Sequence, residues 1–351
     1  MTPSKVKPLA VVFGCEGFEL SSLERAFFAA NNPLGFILFQ RNCDHPDQVR
    51  ALVADLRGAV GRDDAPILID QEGGRVARLQ PPHWPTFPTA MAYADLYRKT
   101  PEDGLEAAWL GGRLIAAELS ALGITIDCAP VLDVPQTDAD PIIGDRAFGV
   151  DAPGVAVLAK AFMDGLMQGG VAAVIKHIPG HGRASLDSHK GLPRVTALRE
   201  DLQDIDFVPF RALHMAPWAM TAHVVYEAFD ARNPATLSPA VIAEVIRKKI
   251  GFQGVLVSDD LSMKALDGPF EDRARASLKA GCDVVLHCNG NRQEMVQVAA
   301  GCSQMTRAAW SRYKLGELHR NGARRPFDSD DAVRQARHRL DTLLGSSPRK
   351  S

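Results

Sequence analysis

The 351-residue chain has no C-x-x-C pair, no block of like charge and no stretch near the ~20 apolar residues that a membrane span requires. Its six cysteines (Cys15, Cys43, Cys128, Cys282, Cys288, Cys302) are scattered through a chain too long to need stapling, which excludes a disulfide scaffold and predicts reduced, mostly buried thiols. Forty Lys and Arg against 42 Asp and Glu leave a net charge of −2. A polyanion binder or membrane-surface protein is therefore not expected, and neither nucleic acid nor membrane enters as a partner. With 46% hydrophobic and 23% charged residues, the disordered and collagen-like classes drop out. Lys5 and Lys7 precede an apolar run at 9–15 that is broken by Gly14 and followed at once by a helix-capping pattern. It reads as a buried first strand rather than a signal peptide, and the expected location is the cytoplasm.

What the chain does have is a regular alternation of short β-rich apolar runs with longer amphipathic segments, the pattern of βα units around a parallel sheet. Eight runs stand out, at 9–14, 35–40, 67–70, 124–130, 172–177, 219–225, 255–259 and 283–288. Helical spacing occupies 22–30, 47–59, 107–122, 155–167, 239–249 and 274–280. Ser21 and Glu24 form an S-x-x-E capping box, and Gly123, Gly251 and Gly281 fall where helices should end.

Polar residues gather at the C-terminal ends of these runs. Glu16 follows the first, Asp70, Gln71 and Glu72 the third, and Asp133 and then Arg146 the fourth. Lys176 and His177 end the fifth, His223 lies on the sixth, Asp259 and Asp260 close the seventh, and Asn289 follows the eighth. In a closed barrel that edge is where active sites are assembled. The expectation is an α/β fold, a (β/α)8 TIM barrel over residues 1–309, with a C-terminal helical extension and tail over 310–351. An open doubly wound sheet with a separate helical domain is the alternative. The Pro-rich segment 80–88, with Trp84, reads as a rigid surface connection. Beyond Trp310 a short amphipathic helix (Val333, Ala336, Leu340, Leu343, Leu344), a solvated basic cluster (Arg320, Arg324, Arg325) and a polar Ser-Pro-Arg-Lys-Ser end are expected.

The densest motif is K-H-I-P-G-H-G-R-A-S-L-D-S-H at 176–189. Pro179, Gly180 and Gly182 oppose a helix, so His177 and His181 are not the i, i+4 pair of helical zinc sites. With no cysteine and few spare carboxylates nearby, neither a metal nor another cofactor is expected. Asp187 and His189, one residue apart, share a face if the segment is extended. A carboxylate holding one imidazole nitrogen would fix the tautomer and leave the other to exchange protons, whereas an isolated D-x-H is often just two solvated polar residues. In V-L-V-S-D-D-L-S-M, 255–263, strand alternation lets only one of Asp259 and Asp260 face the barrel axis. Asp259 suits a nucleophile for a carbon bearing positive charge, and Asp260 an anchor for the next helix N-terminus. In I-D-Q-E-G-G-R-V, 69–76, Gly73 and Gly74 permit a turn, and Asp70 either accepts from vicinal hydroxyls or caps a helix. Arg146 is a substrate clamp or the surface partner of Asp145.

Together these segments resemble family 3 of the glycoside hydrolases, in the branch of single-domain bacterial β-N-acetylglucosaminidases of cell-wall recycling. D-Q-E-G-G-R-V, A-P-V-L-D-V, K-H-x-P-G-H-G, D-S-H, M-T-A-H and S-D-D-L-S-M occur in family order and spacing from about Val11 to Asn289. The resemblance implies Asp259 as nucleophile, His189 as general acid/base and Asp187 as its support. It also implies that Asp70, Arg146, Lys176 and His177 bind the non-reducing N-acetylglucosamine, with His223 lining the pocket. The implied reaction is double displacement with retention on carbohydrate substrates, by a monomer or homodimer. Phosphorolysis on the same scaffold is the alternative, because some members are reported to use phosphate instead of water. This chain departs from the pattern at Ile178, where an aromatic residue is common, and at Arg183 and Ala184, which replace a frequent Asp-Thr pair. The second α/β domain that many family β-glucosidases use to supply a carboxylate acid is missing, which argues against simple β-glucosidase activity.

Overall fold

A computed structural model of the chain describes residues 7–137 and 139–345. Eight parallel strands pair in chain order: β1 (Leu9–Gly14), β2 (Pro33–Leu38), β3 (Ile67–Ile69), β4 (Ile126–Asp127), β5 (Ala172–Ile178), β6 (Trp218–Thr221), β7 (Val255–Asp260) and β8 (Val284–His287). β8 pairs back onto β1, Val11 opposite Val285, so the sheet is a closed barrel and not an open one. Lys5 and the Ser-Pro-Arg-Lys-Ser end lie outside the described residues.

Strand alternation sorts the side chains into two layers. Ala10 and Val12, Leu68, Ala172 and Val174, Val255 and Val257, and Val284 and Leu286 fill the barrel interior. Their neighbours Val11, Phe13, Ile67, Ile69, Ala173, Ile175, Leu256 and Val285 pack outward against the helices. Each fully buried Val or Leu contributes ~1.5–3 kcal/mol, so this two-sided burial fixes the register firmly.

The expected helices form, several of them longer than read. Examples are Pro101–Ala121, started by a proline at its first position, and Phe270–Ala280. The Ser21 capping box is present, and Gly123, Gly251 and Gly281 stand at helix ends with positive φ. Two strands are shorter than expected for a physical reason. β4 loses regular pairing at Pro130, which has no N–H to donate, although Lys176 N–H still reaches the Pro130 carbonyl at 3.2 Å. β6 ends at Thr221, and Val225 with Tyr226 pairs instead with Arg194 and Val195 in a separate ribbon. Residues 222–224 thus lie beyond the strand, His223 among them.

Three readings outside the barrel differ from the structure. Trp84 and Phe87, expected on a surface connection, are 5% and 6% exposed, with the Arg337 guanidinium lying 4.3 Å over the Phe87 ring. The helix Arg307–Ala323 spans the expected boundary at 309/310, and its Ala309 and Tyr313 pack with Met305 on the interior cluster. Tyr313 meets Trp218 at the start of β6 edge-to-face, 6.1 Å between centroids, so this helix closes the N-terminal end of the barrel. Arg320 is no solvated residue, for it pairs with Glu317 and donates to the Gly170 carbonyl at 2.9 Å. The helix Asp330–Leu343 forms as expected, with Ala336 and Leu340 buried.

Candidate active site

At the C-terminal end of the barrel the interior rows change from apolar to ionic. Leu68 is followed two residues on by Asp70, Val174 by Lys176, and Val257 by Asp259. One period-2 pattern therefore fills the core and then aims three charges at the same cavity, of about 210 Å³. Gly73 and Gly74, both at positive φ, turn the chain after β3 so that Glu72 joins them. A Cβ on Gly73 would sit 2.3 Å from the Pro88 carbonyl oxygen.

Asp70, Glu72, Lys176, Arg78 and Arg146 form one interlocked network. Lys176 Nζ lies 3.0 Å from Asp70 Oδ1 and 2.6 Å from Glu72 Oε1. Arg146 grips both Glu72 oxygens at 2.8 Å in a bidentate fork, and Arg78 holds the other Asp70 oxygen at 3.0 Å. Burial pushes the Glu72 carboxyl up, but Lys176 and Arg146 outweigh it and hold the pKa at about 2. Asp70 is lowered in the same way, and burial of Lys176 is outweighed by its two carboxylates, which hold it charged. Arg146 does not pair with Asp145, whose partner is Arg75 at 3.1 Å. Glu72 was legible only as a strand-end acid, and its partnership depends on a loop folding back from β4.

Asp259 faces the cavity at the top of β7. Burial would raise its pKa, but His223, His177 and the Asp260 N–H, 2.8 Å from its Oδ1, hold the carboxyl below its ordinary value. An anion results. Asp260 edges the cavity, yet its Oδ1 accepts from the Ser262 N–H at 3.0 Å and the Cys288 N–H at 3.1 Å, and its Oδ2 accepts from the Ser262 hydroxyl. It anchors the turn after β7 and the end of β8, not the N-terminus of Phe270–Ala280, whose cap position is Pro269.

His223 is fully buried and does not line the cavity. Burial lowers its pKa against the pull of Asp259 and Asp260. Its Nε2–H donates to the Asp260 carbonyl at 3.1 Å and its Nδ1 accepts from Thr236 Oγ1 at 2.7 Å. The early end of β6 places it behind the Asp259–Asp260 backbone.

Asp133, buried under the β5 loop, organises two histidines. Its oxygens accept from His177 Nδ1 at 2.7 Å, from the His177 N–H at 3.1 Å and from the His181 N–H at 2.7 Å. His177 is thereby fixed with one ring nitrogen free toward the cavity. Burial pushes the His181 pKa down to about 4. The register of β5 against β6 shifts between Lys176 and Ile178, and both Lys176 and His177 line the cavity although they are adjacent in sequence.

The dyad forms, by a different geometry from the one expected. His189 Nδ1 and the His189 N–H both lie 2.9 Å from Asp187 Oδ1, and the Asp187 carbonyl accepts from Lys190 and Gly191. This is a turn closed by its own aspartate, not an extended segment. His189 lines the cavity with 67% of its side chain exposed, leaving Nε2 for proton exchange. Glu16 and Asn289 stay outside: both are exposed, and Asn289 bonds Glu294 at 2.6 Å. Among the described residues no group of three His, Cys, Asp or Glu is placed to hold a metal ion.

Comparison with known proteins places this geometry. The glycosyl hydrolase family 3 N-terminal domain matches residues 2–310. The β-hexosaminidase of Alkalilimnicola ehrlichii is 42% identical over 283 residues, 80% of each chain. That of Methylococcus capsulatus is 42% identical over 282 residues, 79% of this chain and 82% of its own. The crystal structure of native NagZ from Neisseria gonorrhoeae superposes with a TM-score of 0.85 at 31% identity, covering 98% of this chain and 99% of that one. The chain belongs to glycosyl hydrolase family 3, as a glycoside hydrolase of the β-hexosaminidase type.

Proposed function

We propose that the chain is a retaining, exo-acting β-N-acetylglucosaminidase. It removes the non-reducing terminal sugar from cytoplasmic peptidoglycan fragments, GlcNAc-1,6-anhydro-MurNAc and its peptides. The observation that carries this reading is the pairing, across one small cavity, of a half-buried anionic carboxylate, Asp259, with a carboxylate-held imidazole, His189. An Asp259 oxygen attacks the anomeric carbon while protonated His189 gives its Nε2 proton to the departing glycosidic oxygen. Water then attacks the same carbon, His189 takes its proton, and Asp259 is released as the sugar leaves with its β configuration.

Asp70, Lys176, Arg146 and His177 bind the sugar hydroxyls in this reading. Ion pairs of Lys176 with Asp70 and Glu72, of Arg146 with Glu72 and of His177 with Asp133 fix donors and acceptors in place before the substrate arrives. His223 supports the nucleophile's strand from behind rather than touching sugar. The cavity of about 210 Å³ suits one sugar ring, which favours action at a chain end.

The use of an imidazole where most retaining glycosidases use a second carboxylate favours phosphorolysis as a second reading, since it puts no extra negative charge in the path of phosphate. NMR of the products released from GlcNAc-1,6-anhydro-MurNAc, with and without phosphate, decides. Free GlcNAc appearing first as the β anomer, unaffected by phosphate, is expected. An α anomer appearing first would overturn retention, and a sugar 1-phosphate would move the assignment to phosphorolysis.

A further inference from the structure

The loop that carries the dyad has a pinned root and a lightly tethered tip. At its root, residues 180–184 are held on two sides. On one, the Gln136 N–H donates to the Gly182 carbonyl at 2.9 Å and the Asp140 N–H to the Ala184 carbonyl at 2.8 Å. Gly182 also passes so close to Val134 that a Cβ there would lie 2.0 Å from its carbonyl oxygen. On the other side, Tyr226 Oη donates to the Gly180 carbonyl at 2.7 Å, and Arg183 Nε lies 2.6 Å from Asp206 Oδ2. At the tip, residues 186–191, the backbone hydrogen bonds among the described residues are internal, all to Asp187.

Arg183, with Ala184, stands where the family pattern has a frequent Asp-Thr pair. Asp206 belongs to the helical run 199–212 that leads to β6, and its side chain is fully buried. We propose that Arg183, through its ion pair with Asp206, is a positioning residue for His189: it fixes the root of the loop from which the acid/base tip reaches over the cavity. Two features argue that the pair serves position more than stability. Arg183 Nη2 and Asp206 Oδ1 are buried without partners, so the pair is incompletely satisfied. Burial also raises the Asp206 carboxyl to about 6 against the opposing pull of Arg183, with Asp133 adding to the rise and the buried Tyr226 hydroxyl nearby. Without Arg183 the same burial would favour a protonated Asp206, which would spare the fold an unpaired buried charge.

The proposal rests on the reading of His189 as the acid, and its test separates the two. Arg183→Ala, Arg183→Lys, Asp206→Asn and His189→Ala are compared by kcat/KM on two β-N-acetylglucosaminides, one with a 2,4-dinitrophenol leaving group and one with an alkyl alcohol. Arg183→Ala and Asp206→Asn should each lose about tenfold or more on the alkyl substrate and less than threefold on the dinitrophenyl one, and Arg183→Lys should recover most of the loss. Equal losses on both substrates, or none on either, overturn the positioning role while His189→Ala still shows the split. Absence of the split in His189→Ala overturns the acid reading itself. Should Arg183→Ala fail to fold, the same split in Asp206→Asn decides.

Discussion

The two halves of the proposed catalytic machinery are built by opposite means. The floor is set on strand ends and short turns: Asp70, Glu72, Lys176 and Arg146 are locked by ion pairs between 2.6 and 3.0 Å, and Asp259 stands half-buried beside them. The tip, Asp187 and His189, rides on a turn whose backbone bonds, among the described residues, are its own, with the imidazole 67% exposed. A sugar needs a fixed constellation of hydroxyl partners and an anion at a defined distance from its anomeric carbon, which rigid elements supply. In the proposed mechanism the proton has to reach a leaving group outside the cavity, which a loop over the rim accommodates.

The comparison is broken most sharply at Asp259. Asp259→Ala should lower kcat on an aryl β-N-acetylglucosaminide by about 10⁴-fold or more, because in the proposed mechanism Asp259 is the group that forms the covalent intermediate. Retained activity would place the nucleophile elsewhere. His189→Ala should cost roughly 10²–10⁴-fold on substrates with poor leaving groups. Because the side chain is exposed, its effect on stability should stay within about 0.5 kcal/mol.

The stability contrast runs the other way. Lys176→Met leaves Asp70 and Glu72 buried without their shared cation and should destabilise the protein by about 3–5 kcal/mol, read from urea unfolding. A loss under 1 kcal/mol would mean the floor is less tightly locked than its geometry implies.

A smaller effect lies in pH. Glu72 has a folded pKa of about 2 against an ordinary 4.5, so the folded state favours its charged form. Its contribution, up to about 3 kcal/mol, is fully present above pH 4.5 and is lost as pH falls through 4.5 toward 2. Urea midpoints between pH 6 and 3 should fall less steeply in Glu72→Gln than in the parent.

Much of this was legible in the sequence because one rule governs both the core and the floor. The alternation that makes Val174 and Val257 interior residues makes Lys176 and Asp259 cavity residues, so reading eight strands also located the site. What stayed hidden depends on chain segments meeting from afar. Glu72 gains its meaning from Arg146, 74 residues away, and Asp133 from His177, 44 residues away. His223 was read as a pocket residue because β6 was extended by four residues. The structure ends that strand at Thr221 and turns the ring to the back of β7. The helix Arg307–Ala323 escaped notice because only Ala309, Tyr313 and Gly316 on it are buried, too few to imprint a periodicity.

The division between fixed floor and loop-borne acid is tested most directly by the dependence of kcat/KM on leaving-group pKa, over a series of aryl β-N-acetylglucosaminides, for the parent and His189→Ala. The account predicts a shallow slope for the parent and a steep one for the variant, converging at the best leaving groups. Parallel slopes would contradict it, showing that the proton comes from somewhere other than His189.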